Sequence, residues 1–406
     1  MLKVINYSDD LVNLAYSKSI FLAGPTPRDK SIVSWRTEAL KWLKDNKYNG
    51  VVFVPEPKEG DEFPKDYEKV VEWENKALNM ADCILFWVPR DLETLPGFTT
   101  NVEYGEWFKS GKVVLGHPKD APKTEYLDYK AKINNIQVFY SLEESIEGAL
   151  KFIGEGSKRV KGETAVPLYI WNTDSFQNWY SELKKAGNRL DDAKVEWVFR
   201  VGKNKEIVFF WILHVDVYIT KEKRHKTNEV VISRSDMSTV LLYKRDYSNA
   251  SSFFNGSNLL DTEIVLVKEF RSPVRNKEGY VYELPGGSSF DKEKGSELAK
   301  KEIKEETGLS IYNFDKRVKV HLPRQVASTM SSHKVYLYSV ELTEEEMNIV
   351  KNKEGQVFGV EGDTERTYVE VRKLKDLTVF DGIDWSMMGM IFEALTEVEI
   401  IENSRF

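Results

Sequence analysis

A chain of 406 residues is longer than one ordinary hydrophobic core supports, and two or three domains are expected. With 41% apolar residues, 30% charged residues and a formal charge of −7, it reads as a soluble globular protein whose partners are small molecules rather than nucleic acid. The longest apolar stretch, 207–217, is too short for a membrane span and contains His214 and Asp216. Neither a membrane partner nor a cleavable leader is therefore expected, and the single cysteine, Cys83, in an apolar strand, points to a reducing, cytoplasmic location.

In chain order, apolar strands at 19–23, 50–55, 82–88 and 112–116 alternate with helical patterns at 32–45, 67–80, 101–110 and 142–152. This β-α-β-α order predicts an α/β domain with a parallel sheet over residues 1–153. The polar run at 154–165 has no apolar period and reads as a linker. Beyond it, a helix near 174–185 and strands at 195–201 and 206–218, turned by Gly202 and Asn204, form a strand-rich connecting or dimerisation region, 166–225. A further domain is expected over 226–406.

Three segments of the first domain sit where open parallel sheets bind ligands, at strand carboxyl ends or helix starts. They are Phe21-Leu-Ala-Gly-Pro-Thr-Pro-Arg28, Trp73-Glu-Asn-Lys-Ala-Leu-Asn-Met-Ala-Asp82 and Thr99-Thr-Asn-Val-Glu-Tyr-Gly-Glu-Trp107. Gly24 permits close backbone approach, and the Arg28 guanidinium suits a phosphate. Glu103, near a helix start, would be kept ionised by the helix N-terminus, as a carboxylate nucleophile requires. Glu74 suits a proton donor or a group that orients a sugar. Pro25, Asp82 and Asn101 complete the candidate substrate contacts. Plainer readings stand beside these: Glu103 as a helix-stabilising carboxylate, Arg28 as a surface charge, and Trp73, Trp87 and Trp107 as core rather than a base-stacking wall. His117 and His214 lack partners at ligand spacing, so neither is expected to be catalytic.

Together these segments resemble the nucleoside 2-deoxyribosyltransferase superfamily over most of residues 19–150. The resemblance implies a doubly wound, flavodoxin-like parallel sheet and cleavage of an N-glycosidic bond through a covalent glycosyl-enzyme, whose sugar passes to another base or to water. Glu103 in Asn-Val-Glu-Tyr-Gly falls on the nucleophilic glutamate. Glu74 stands where classical members carry an aspartate, and Gly97-Phe-Thr-Thr replaces an Asp-x-Gly approach.

Downstream, the apolar period and Gly308 predict a helix over 295–307, on which Glu302, Glu305 and Glu306 share one face. Such carboxylates either form a solvated acidic face or hold a hard cation, Mg²⁺ or Mn²⁺. The segment 287–309 resembles the Nudix box in every spacing, with Lys301 in place of arginine. That resemblance implies an α/β/α fold with a mixed sheet and makes Gly287, Glu302, Glu305 and Glu306 the metal-site candidates, Glu305 also a catalytic one. Flanking segments are similar to ADP-ribose pyrophosphatases, which implies substrate or metal contact by Arg271 and Glu283 and assistance to the attacking water by Glu365. The combined expectation is a bifunctional nucleotide-metabolising enzyme, at least dimeric, acting on nucleosides or nucleotides. One pairing would have the first domain release a base such as nicotinamide and the second split the resulting ADP-ribose. The alternative is a nucleotide sensor with one or both sites weak in turnover.

Overall fold

The structure is a computed structural model that describes residues 2–12, 14–27, 31–58, 60–61, 66–203, 205–247, 259–288, 295–359 and 366–403. Contacts divide the chain into two compact units, Met1–Ser233 and Arg234–Phe406.

In the first unit, six short strands rich in Val, Ile, Leu and Phe form an all-parallel sheet. They are β1 (Lys3–Asn6), β2 (Ser19–Ala23), β3 (Val51–Val54), β4 (Cys83–Trp87), β5 (Val113–Gly116) and β6 (Val138–Phe139). Their spatial order is β1-β3-β2-β4-β5-β6, so the chain winds outward in both directions from the β2/β4 pair. Ligands bind at such a switch point because the flanking connections diverge there and leave a crevice. The strands are continuous apolar runs because both faces are covered. Ile20 and Leu22 face the side packed by α1 (Trp35–Asp45) and α5 (Leu142–Ile153). Phe21 and Ala23 face α2 (Tyr67–Met80), α3 (Phe98–Trp107) and α4 (Glu125–Ile133). The parallel, doubly wound arrangement expected of this part is what the chain adopts.

The segment 154–165, read as a linker, is instead packed structure. Residues 159–160 pair with 15–16, and Lys161–Ala165 forms a turn of 3-10 helix. The polar character misled because its charge is internalised: Arg159 is fully buried and donates to Asp82 at 2.6 Å and to the Val166 carbonyl at 2.8 Å. Asp82, proposed above as a substrate contact, is therefore a buried structural carboxylate, also held by Ser19 Oγ at 3.0 Å.

Next comes α6 (Asp174–Lys185), whose Phe176 and Tyr180 enter an aromatic cluster with Trp171 and Trp211. A long antiparallel hairpin, β7 (Arg189–Val201) and β8 (Ile207–Ile219), carries β9 (Arg224–Arg234) beside β8. β7 starts before the expected position 195: Leu190 and Ala193 point inward while Arg189, Asp191 and Asp192 mask the alternation.

The second unit is a mixed sheet between two helical layers. Its central strands are β10 (Met237–Lys244), β11 (Glu263–Phe270), β12 (Tyr280–Glu283), β13 (Gly286–Gly287), β14 (Lys334–Glu341) and β15 (Thr367–Lys373). β10 and β14 run parallel, and the other pairs among them are antiparallel. Period-2 alternation divides the core: Val240, Leu242 and Val265 pack with α7 (Gly295–Thr307) and α8 (Glu344–Lys351), whereas Leu241, Tyr243, Ile264 and Leu266 pack with α9 (Trp385–Asn403).

Removing one partner of a buried ion pair strands the other charge. Arg159→Met is expected to lower stability by about 3–5 kcal/mol in urea unfolding of the full chain. A neutral result would restore the linker reading of 154–165.

Candidate active site

At the end of β2 the chain turns at Gly24, where φ is +151° and a Cβ would collide with the Trp87 carbonyl oxygen. The next residues are held from α1. Trp35 Nε1 donates to the Pro25 carbonyl at 3.1 Å. Arg36, 1% exposed, donates to the Leu22 carbonyl at 2.9 Å, the Gly24 carbonyl at 2.7 Å and Thr26 Oγ1 at 3.2 Å. Its charge is answered by Glu56 at 2.6 Å, which also accepts from Ser34 Oγ, the N-cap of α1, at 2.8 Å. Gly24 and Pro25 thus lie on a rigid loop. Arg28 lies outside the described residues.

Facing this loop's end of the sheet, α2 brings Glu74 and α3 brings Glu103. The third helix begins at Phe98 rather than 101 because Gly97, with φ of +64°, supplies a left-handed N-cap. Both glutamates are half-buried. Burial, reinforced by the charge of Glu103 and opposed by Arg36, pushes Glu74 up to about 7. Burial also raises Glu103, against the Arg36 charge and with Glu106 adding to it. One guanidinium therefore acts on two half-buried carboxyls, both raised by burial, and the charge of Glu103 adds to the rise of Glu74. A protonated carboxyl beside an ionised one is the equipment for pairing an acid with a nucleophile.

The remaining expected residues fall in different places. Asn101 is exposed, and its Oδ1 accepts from Arg90 Nη2 at 2.5 Å. Trp73 packs against the core with Nε1 donating to the Asp9 carbonyl at 3.0 Å, and Trp87 is buried core. His117 does have a partner, Asp128 at 2.9 Å, with the imidazole buried and the aspartate partly exposed. Arg36 and Glu56 were not anticipated. The signal for Arg36 was present: it lies in helical register with Ala39 and Leu43, where a core residue belongs.

In the second unit, α7 spans the expected 295–307. Glu306 is 8% exposed and its Oε2 accepts from the Gly286 N–H at 2.9 Å. The Glu302 carboxylate packs on Gly287, where a Cβ would collide with it, and Glu305 is half-buried on the same helix. Arg271 pairs with Glu269 at 2.7 Å and with Glu283 at 3.2 Å. Glu365 lies outside the described residues, among which no group of three or more His, Cys, Asp or Glu side chains is set to hold a metal ion.

The doubly wound sheet agrees with the comparison to known families. Residues 17–121 match the family described as nucleoside 2-deoxyribosyltransferase like, and the first unit carries such a domain. The match takes in the Gly24 loop, Arg36, Glu74 and Glu103. Comparison with curated proteins gave no match. Among the described residues, no helix is long and apolar enough to cross a membrane.

A carboxyl raised from 4.5 to about 7 favours the folded state only while protonated, so its contribution is lost as pH rises from 4.5 through 7. Glu74→Gln removes that penalty. Discounted for partial exposure, the variant is expected to melt about 4 °C above wild type at pH 8. At pH 4 the two should melt together, and equal melting at both pH values would refute the raised carboxyl.

Proposed function

We propose that the first unit cleaves the N-glycosidic bond of a nucleoside or nucleotide. What supports the reading is the Glu74–Glu103 pair of half-buried carboxyls, of which Glu74 is pushed up to about 7 by burial with the charge of Glu103 adding to the rise. A Glu103 oxygen attacks the anomeric carbon. The carbon–nitrogen bond breaks, its electron pair goes to the base nitrogen, and that nitrogen takes the Glu74 proton. Water or a second base then attacks the glycosyl ester, Glu74 accepts its proton, and Glu103 leaves as carboxylate. Arg36 opposes the rise that burial imposes on Glu103 and fixes the Gly24–Thr26 loop.

For the second unit we propose metal-dependent hydrolysis of a nucleoside diphosphate linked to another group, as in ADP-ribose. Support comes from the Nudix-like spacing of 287–309 and from the Gly286–Gly287 strand, whose bare backbone accommodates Glu302 and donates to Glu306. Among the described residues Glu302, Glu305 and Glu306 are not gathered into a metal-holding group, so they would have to converge to hold Mg²⁺ or Mn²⁺, which would supply charge neutralisation at the diphosphate. Arg271 and Glu283 would orient the substrate. Fusion of two such sites suggests related substrates, and NAD cleaved to nicotinamide and ADP-ribose, then to AMP and ribose 5-phosphate, joins both chemistries.

Mass spectrometry of nucleosides, nucleotides and NAD incubated with the full chain tests each half. Base release should vanish in Glu103→Ala and fall by about 10²–10⁴-fold in Glu74→Gln, with loss of the basic limb of its pH profile near 7. Mg²⁺-dependent release of a nucleoside monophosphate should survive Glu103→Ala and vanish in Glu306→Gln. Ligands bound but never turned over would replace both proposals with the sensor.

A further inference from the structure

The helices that carry the candidate glutamates also wall a second opening. Asn75 and Asn79 of α2, Glu106 and Trp107 of α3, and Trp197 and Arg200 of β7 border a cavity of about 1410 Å³ within the first unit. Common small-molecule pockets measure roughly 300–1,000 Å³, so a ligand would fill part of it.

Two donors on this wall are buried without an acceptor among the described residues: Arg200 Nη2 and Trp107 Nε1. Neither side chain is loose. The Arg200 guanidinium lies 4.1 Å from the centre of the Tyr169 ring and presses on Gly111, where a Cβ would stand 2.6 Å from Nη2. Gly111, with φ of +75°, leaves room that no other residue would leave. The neighbouring Lys112 ammonium lies over the Trp107 ring at 4.7 Å and is satisfied by the carbonyls of Leu78, Asn79 and Ala81 at 2.6–3.1 Å. Arg200 is hydrogen-bonded through its side chain to Tyr169 and keeps one donor, Nη2, without an acceptor. Basic residues lining the cavity outnumber acidic ones seven to four in a chain whose net charge is −7, so the local field favours an anion. Trp197, 51% exposed on the same wall, offers a flat apolar face for a ring. A buried donor without an acceptor is costly, and a ligand oxygen removes that cost.

We propose that this cavity is a second ligand site, separate from the Glu74–Glu103 centre, that takes a nucleoside phosphate or another anion joined to a flat aromatic ring. The phosphate lies on Arg200 and the ring on the Trp107–Trp197 side. The proposal does not depend on either activity proposed above.

Calorimetric titration of the full chain with ADP in EDTA tests it, comparing wild type with Arg200→Met, the surface change Lys151→Glu, and the double variant Glu103→Ala/Glu306→Gln. Wild type and the double variant should bind alike. Arg200→Met, which removes the guanidinium that packs on Gly111, should weaken binding by about tenfold or more, and Lys151→Glu in the same direction. Adenosine and pyrophosphate should each bind less tightly than ADP. The proposal is overturned if wild type does not bind ADP, if the double variant loses binding, or if Lys151→Glu and a folded Arg200→Met bind as wild type does. Pyrophosphate binding as tightly as ADP would overturn the ring recognition. A dimer in light scattering that Arg200→Met converts to monomer, with ADP binding unchanged, would give the cavity to a second copy of the chain and overturn the proposal too.

Discussion

A guanidinium enclosed beneath a parallel sheet keeps its charge only if its donors and its counter-charge are supplied locally, and Arg36 meets both demands from one loop and one glutamate. Its carbonyl partners, Leu22 in β2 and Gly24 just after it, span the strand end, so the same bonds that satisfy the arginine fix the backbone at the switch point. Gly24 can approach the Trp87 carbonyl because it has no side chain, and Arg36 keeps it there. Loop geometry, carboxylate protonation and the crevice between β2 and β4 consequently share one origin. Replacing the arginine would disturb all three together, which a surface charge would not do.

The two carboxylates show the converse case, a local arrangement that the fold tolerates rather than favours. Half-burying Glu74 beside Glu103 raises its proton affinity against the interest of stability. The surrounding sheet, with both faces covered, is stable enough to hold them there. Such a conflict between local chemistry and packing is what marks this pair as a candidate site.

The sequence pattern made the parallel sheet legible because strands buried on both faces must be continuous apolar runs, as Ile20 to Ala23 and Cys83 to Trp87 are. Glu74 and Glu103 were legible through the family-like segments that contain them. What stayed hidden was pairing across long sequence distance. Arg159 looked like linker charge because its partner Asp82 lies 77 residues away, and His117 looked solitary because Asp128 meets it only after α4 folds back. Asp82 was misassigned for the same reason: an aspartate beside a motif reads as chemistry until its buried arginine is seen. In the second unit the helix at 295–307 followed from periodicity, whereas the contact of Glu306 with the Gly286 N–H depends on a strand turn that no spacing rule supplies.

The Asp82–Arg159 pair also bears on where this domain can be cut. The family-like segment ends at 121, yet the carboxylate at the foot of β4 has its ion-pair partner, Arg159, in chain beyond 153. A fragment trimmed to the recognisable motif would bury Asp82 with Ser19 and without its arginine, at a position where solvent cannot reach it. The recognisable enzyme-like core and the smallest stretch able to fold are thus different lengths of one polypeptide.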